Sequence, residues 1–93
     1  MKYVRIDVTA PGGGMKKAFV VAFPEDMVHA VVAAALKAVA AIQWPGAQVN
    51  VHSAGSIDLY ATSTHGVSTS LDLKADPEDA RLLNVSDYGG HIL

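Results

Sequence analysis

Ninety-three residues suffice for one domain with a modest core, in which roughly 60–65% of the unfolded surface becomes buried. Half the residues are hydrophobic (51%) and 17% are charged, which excludes a disordered chain, and the absence of cysteine excludes disulfides and thiolate metal sites. The net charge of −2 disfavours phosphate backbones overall, although five bases and three acids fall in residues 1–46 against two bases and six acids in 47–93.

The segment 2–10, KYVRIDVTA, places Val4, Ile6, Val8 and Ala10 on one face and Tyr3, Arg5, Asp7 and Thr9 on the other, the pattern of a half-buried strand. PGGG (11–14) ends it, and MKKAFVVAF (15–23) returns. A four-residue loop sets Phe19 opposite Ile6 and Val21 opposite Val4. A five-residue loop sets Ala18 there instead, and the first register is preferred because it buries two larger side chains. Lys2, Arg5, Lys16 and Lys17 cluster near this hairpin as a weak basic patch or as scattered solubilising charges.

A helix is expected over 25–43. Pro24 suits its first turn, Glu25 and Asp26 complement the macrodipole, and Trp44-Pro45-Gly46 stops it. Val28, Val31, Val32, Ala35, Leu36, Val39 and Ile42 form the apolar stripe expected to face the core, with Asp26, His29, Ala33 and Lys37 opposite.

Residues 47–75 read as a three-stranded meander. HSAGSI (52–57) and STHGVS (63–68) carry the same punctuation, and two three-residue turns, Ser53-Ala54-Gly55 and Thr64-His65-Gly66, match apolar to apolar and polar to polar across both hairpins. Asp76, Pro77 and Asp79 then start a short helix, with Asp76 as N-cap. In the tail, Val85, Tyr88, Ile92 and Leu93 dock on the core or pair as an extra edge strand.

The expected fold is a single α+β domain, a two-layer sandwich ordered β-β-α-β-β-β. Its mostly antiparallel five-stranded sheet has the order 2-1-3-4-5, strands 2 and 5 are open edges, and one long helix crosses one face. The hairpin occupies 2–23, the helix 25–43, the meander 47–75, and a helical turn and tail 76–93.

The meander's second face carries Asn50, His52, Asp58, Tyr60, Thr62, Ser68, Ser70, Asp72 and Lys74. Tyr60 falls opposite Ser70, and Asp58 opposite Asp72. Two opposed acids need an offset, from Lys74, a cation or a basic partner. Asn50, His52, Asp58, Tyr60, Thr62, Ser70 and Asp72 are therefore the candidate partner-binding residues.

No catalytic residue, metal site or cofactor is expected. The histidines, 29 on the helix's outer face, 52 and 65 at opposite ends of the meander and 91 in the tail, have no ligand spacing within one element. No G-x-S-x-G elbow occurs, PGGG lacks the lysine and hydroxyl of a phosphate loop, and DPED lacks EF-hand spacing. One aromatic, Tyr60, is too few for an RNA-stacking sheet, so direct nucleic-acid binding is not expected.

These features suggest a non-enzymatic protein-binding module. In size, acidity and hairpin–helix–meander order the chain resembles the compact α+β inhibitors of phages and mobile elements, such as anti-CRISPR proteins, and toxin-immunity proteins. That resemblance implies occlusion of a site on a larger complex, with the acidic half imitating nucleic-acid charge. The alternatives are a homo-oligomer paired through edge strands, and a ligand-binding domain or small enzyme with a site around His52, Asp58, Tyr60 and Asp72. The N-terminus lacks a signal-peptide pattern, and the apolar run within 30–42 is too short to span a bilayer, so a cytoplasmic protein is expected.

Overall fold

Alternation builds the centre of the sheet as expected. In the computed structural model, which describes residues 1–14, 16–83 and 90–92 (backbone alone for 83 and 90–92), β1 (Lys2–Thr9) pairs antiparallel with β2 (Lys16–Phe23). Ile6 lies opposite Phe19 and Val4 opposite Val21, the register of the four-residue loop. Gly12 and Gly13 turn the chain at φ of 84° and 81°, a region that glycine enters without a Cβ penalty. β3 (Gln48–Asp58) runs antiparallel along the other side of β1.

The meander is not formed as expected. Ser53, Ala54 and Gly55 continue β3 and pair with Arg5, Val4 and Tyr3, so the chain runs straight through the first expected turn. β1 is eight residues long and pairs with β3 along its whole length, with one register shift between Arg5 and Ile6. Gly55 serves a different end from a left-handed turn. A Cβ there would lie 2.6 Å from the His65 carbonyl oxygen and 3.0 Å from the Ala75 Cβ, so the glycine admits a crossing segment.

The turns fall later, at 59–62 and 69–72, ten residues apart. β4 (Ser63–His65) folds back onto the end of β3, with Asp58 opposite Ser63. β5 (Val67–Ser68) and β6 (Leu73–Lys74) form a separate two-stranded sheet, reached through Gly66 at φ 81°. Each turn begins with a side chain that accepts backbone N–H groups: Asp58 Oδ1 from Tyr60 and Ala61 (2.9 and 3.0 Å), Ser68 Oγ from Leu71 (3.3 Å). Each closes on a residue with positive φ, Thr62 (54°) and Asp72 (53°).

The main sheet therefore has the order β4-β3-β1-β2, antiparallel throughout, and β7 (Gly90–Ile92) is added parallel to β2. The expected order 2-1-3-4 holds. The fifth strand comes from the tail rather than from residues 67–75, and β2 is not an open edge. Val85, Tyr88 and Leu93 lie outside the described residues.

Both sheet faces are covered, in place of the expected two layers. On one, Val4, Ile6, Val8, Phe23 and Ala54 pack against Val32, Ala33 and Ala40 of α1 (His29–Gln43), with Leu36 and Trp44 at the margin. On the other, Tyr3, Val20, Ala22 and Ile57 pack under Ala75 and Leu82, the latter in α2 (Asp79–Leu83).

α1 starts at His29, four residues later than expected. Pro24 to Met27 forms a turn, closed by Met27 N–H donating to the Pro24 carbonyl at 3.2 Å. The helix is also rotated by about 100°, one residue step, from the orientation its large side chains suggest. His29, expected outside, is buried: its Nε2 lies 2.8 Å from the Gly55 carbonyl oxygen and its ring meets Phe23 edge-on at 5.5 Å. Ala33 turns inward with it, while Val31, Val39 and Ile42 remain 64%, 61% and 81% exposed.

Candidate functional site

Two features of the molecule could carry function: a polar network beneath α2, and the outward face of α1.

The network begins in β1. Arg5 and Asp7 share a face of the central strand, and Arg5 Nε donates to Asp7 Oδ1 at 2.9 Å. A register shift in the β1–β3 ladder follows, with Arg5 opposite Ser53 but Ile6 opposite Val51. His52 is the extra residue of this bulge, and the bulge brings its ring onto the same face as Ser53. His52 Nε2 pairs with Asp76 at 2.8 Å, and Nδ1 lies 3.6 Å from Asp7. Asp76 also accepts the Glu78 N–H at 3.0 Å, which caps the turn leading into α2; the helix itself starts at Asp79, later than an N-cap at Asp76 would set it. Asp79 is fully buried and accepts from the hydroxyls of Tyr3 (2.8 Å) and Ser53 and from Arg5 Nη1 (3.0 Å).

The electrostatics follow from these bonds. The hydrogen bond from His52, then the Glu78 N–H and the Arg5 charge, hold Asp76 below the usual carboxylate range. Burial opposes charge on Arg5, but hydrogen bonds to Asp79 and Asp7 outweigh it and raise its pKa above the ordinary value. Burial, aided by the Asp79 carboxylate, pushes the Tyr3 phenol well above its ordinary range.

This geometry suits a clamp rather than a reactive centre. Both ring nitrogens of His52 face carboxylates, and the Ser53 hydroxyl is turned toward Asp79, so they do not form a nucleophile–base pair. His52, Asp76 and Asp79 could each present one donor atom to a metal within 4.8 Å of one another. The Arg5 guanidinium already fills the space a cation would need, 3.0 Å from Asp79 and 4.0 Å from Asp76. The donor set therefore does not fit a metal ion.

The seven sequence-derived site residues do not form one face. Asn50 is exposed on β3 opposite Asp7, and His52 belongs to the network. Asp58 ends β3, and Tyr60 and Thr62 sit in the turn after it, with Tyr60 fully exposed. Ser70 and Asp72 sit in the second turn, where Ser70 Oγ accepts the Ala30 N–H at 3.2 Å. Asp58 is not opposed to Asp72, nor Tyr60 to Ser70. The Asp58 carboxylate is held below its ordinary range by the Ala61 and Tyr60 N–H groups, so the acid needs no cation. Ser68, expected outward, is buried.

The basic residues are likewise dispersed. Lys2 donates to the Met27 carbonyl at 3.0 Å, Arg5 is held in the network, and Lys16 lies 3.4 Å from Asp7. Lys17 borders a shallow apolar hollow of about 270 Å³ between Val8, Pro11, Trp44 and Ala47, which has no converging polar groups.

The second feature was missed because its residues were assigned to the core. Val31, Ala35, Val39 and Ile42 form a continuous exposed stripe along α1, extended beyond its start by the exposed N-cap residue Val28 and by exposed Met27. The one charged residue within α1, Lys37, lies on a different side of the helix. The signal for this lay in the alanine content. A helix with alanine at 33, 40 and on its flanks can turn small residues inward for close packing and leave its large ones out. Among the described residues, no helix is long and apolar enough to cross a membrane. No protein family, curated protein sequence or solved structure matches this chain.

Proposed function

We propose that the protein is a non-enzymatic binding module whose contact surface is the outward face of α1. The observation that carries this reading is the exposure of Val28, Val31, Val39 and Ile42 in one stripe at 49–81%. Scattered apolar residues on a surface need no explanation, but a contiguous stripe marks an interaction site. Burial of each such side chain is worth about 1.5–3 kcal/mol, which the monomer leaves unused.

The inhibitor reading keeps its protein-binding element and loses much of its charge-mimicry element, since Asp58 is spent on its turn, Asp76 and Asp79 on the Arg5–His52 network, and Glu78 on Arg81. A site for a small ligand or substrate around His52, Asp58, Tyr60 and Asp72 has no support in the placement of those residues.

Affinity isolation of the tagged chain beside its Val39→Asp variant tests the proposal. The expected result is a protein recovered stoichiometrically, insensitive to nuclease, and lost with the variant although the variant stays folded. Equal recovery by both chains, or loss of the bound material on nuclease treatment, would overturn it.

A further inference from the structure

The stripe has a symmetry of its own. Its positions, 28, 31, 35, 39 and 42, are palindromic about 35, with intervals of three, four, four and three. If two copies of α1 lie antiparallel across a two-fold axis at Ala35, Val28 of each copy is level with Ile42 of the other. Val31 is then level with Val39, and Ala35 with itself. Large side chains meet at both ends, and the smallest side chain sits on the axis, where the helix backbones approach closest. Antiparallel alignment also sets the two helix dipoles in their favourable sense. The intervals of three, four, four and three follow the period of a straight helix rather than a heptad repeat, which would put Ala38 in place of Val39, so the seam is short and not supercoiled.

We infer that this face binds a second copy of the chain, forming an isologous dimer through α1. The inference rests on the reading of that face as the contact surface. A two-fold interface requires one patch complementary to itself, and the palindrome supplies it. With Val31, Val39 and Ile42 exposed at 64%, 61% and 81%, the stripe and its flanking alanines offer about 600 Å² per copy. Pairing two copies would remove about 1,000–1,200 Å² from solvent, the lower end for a specific interface and so a dimer of micromolar rather than nanomolar strength. The edge-strand route to a dimer is weaker, because β2 is covered by β7 and β4 has three residues.

The test is sedimentation equilibrium of the full chain from about 1 µM to about 1 mM, a range that brackets such an affinity. Four proteins are compared: wild type, Val31→Glu, Val39→Lys, and the double variant. Circular dichroism checks that each is folded, and Ile42→Gln replaces any single variant that is not. Wild type should move from monomer to dimer. Each single variant should weaken association by at least about tenfold, because the two-fold axis buries two uncompensated charges, one at each 31–39 contact, against apolar side chains. The double variant should recover it, because the carboxylate introduced at position 31 of each copy then meets the ammonium introduced at position 39 of the other. A wild type that stays monomeric, single variants that still dimerise, or a double variant that stays monomeric would each overturn the inference. A monomeric wild type whose heterologous complex is lost with Val39→Asp would overturn the dimer while leaving the contact surface standing.

Discussion

Replacing Asp79 by alanine should cost about 3–4 kcal/mol of stability. The carboxylate is fully buried and takes hydrogen bonds from Tyr3, Ser53 and Arg5. Removing one partner of a buried ion pair costs about 3–5 kcal/mol, because the remaining charge stays desolvated. Arg5 keeps Asp7 at 2.9 Å, which places its share at the low end. The Tyr3 and Ser53 hydroxyls lose their acceptor at about 1 kcal/mol each, offset in part because Tyr3 still accepts the Asp76 N–H at 3.0 Å. A domain of this size carries about 5–14 kcal/mol in total, so the variant loses between a quarter and most of it. The melting temperature should fall by about 12–30 °C at about 4–8 °C per kcal/mol. Urea unfolding followed by far-UV circular dichroism measures the difference, and Asp79→Asn, which keeps the shape and an acceptor, should lose about half as much. A loss below about 1 kcal/mol for Asp79→Ala would mean that α2 is not held to the sheet by this network, and the reasoning would fail.

Three further outcomes follow from the same geometry. Gly55→Ala should destabilise the protein by about 1–3 kcal/mol through crowding of the His65 backbone, measured by the same unfolding curve, and an unchanged midpoint would show that the segments do not approach as described. Asp76 and Asp58 take up protons less readily folded than unfolded, so their contribution is present above their ordinary value of 3.8 and is lost as pH falls through it; Tyr3 is raised from 10.0, so stability should also fall as pH rises above that value. Thermal melts across pH should show both limbs, with Asp76→Asn flattening the acid one. Val39→Ser, at an exposed position, should leave the melting temperature of the dilute monomer within about 2–3 °C, and a large drop would place that side chain in the core.

The parts of the fold legible from the sequence were those governed by local period. Alternation in 2–10 gave the first strand, the size of Phe19 and Val21 chose the hairpin's register over 15–23, and Asp76 announced itself as the cap of a turn. The failures share one cause, which is that non-local packing chose among locally equal options. Gly55 could serve a tight turn or a close backbone approach, and the free length of β1 selected the second. The real turns had their own signal in Asp58 and Ser68, both side chains able to cap a backbone, placed ten residues apart. The α1 stripe was legible as a pattern, but periodicity cannot say which of two neighbouring apolar faces turns inward. His29, able to reach the Gly55 carbonyl, and the small side chains of Ala33 and Ala40 decided that. The buried network was half legible. Arg5 and Asp7 sit on a strand already expected at the sheet centre, where polar side chains need partners, and the acidic segment 76–79 supplies them.

The most direct measurement on the central claim is site-specific photocrosslinking, with a benzophenone amino acid placed at Val39 or at Tyr60 in otherwise unchanged full-length chains. If the outward face of α1 is the contact surface, irradiation should give a discrete adduct from position 39 and none from position 60, although Tyr60 is the more exposed of the two. An adduct from position 60 with none from position 39 would contradict the account and return the contact surface to the polar turns.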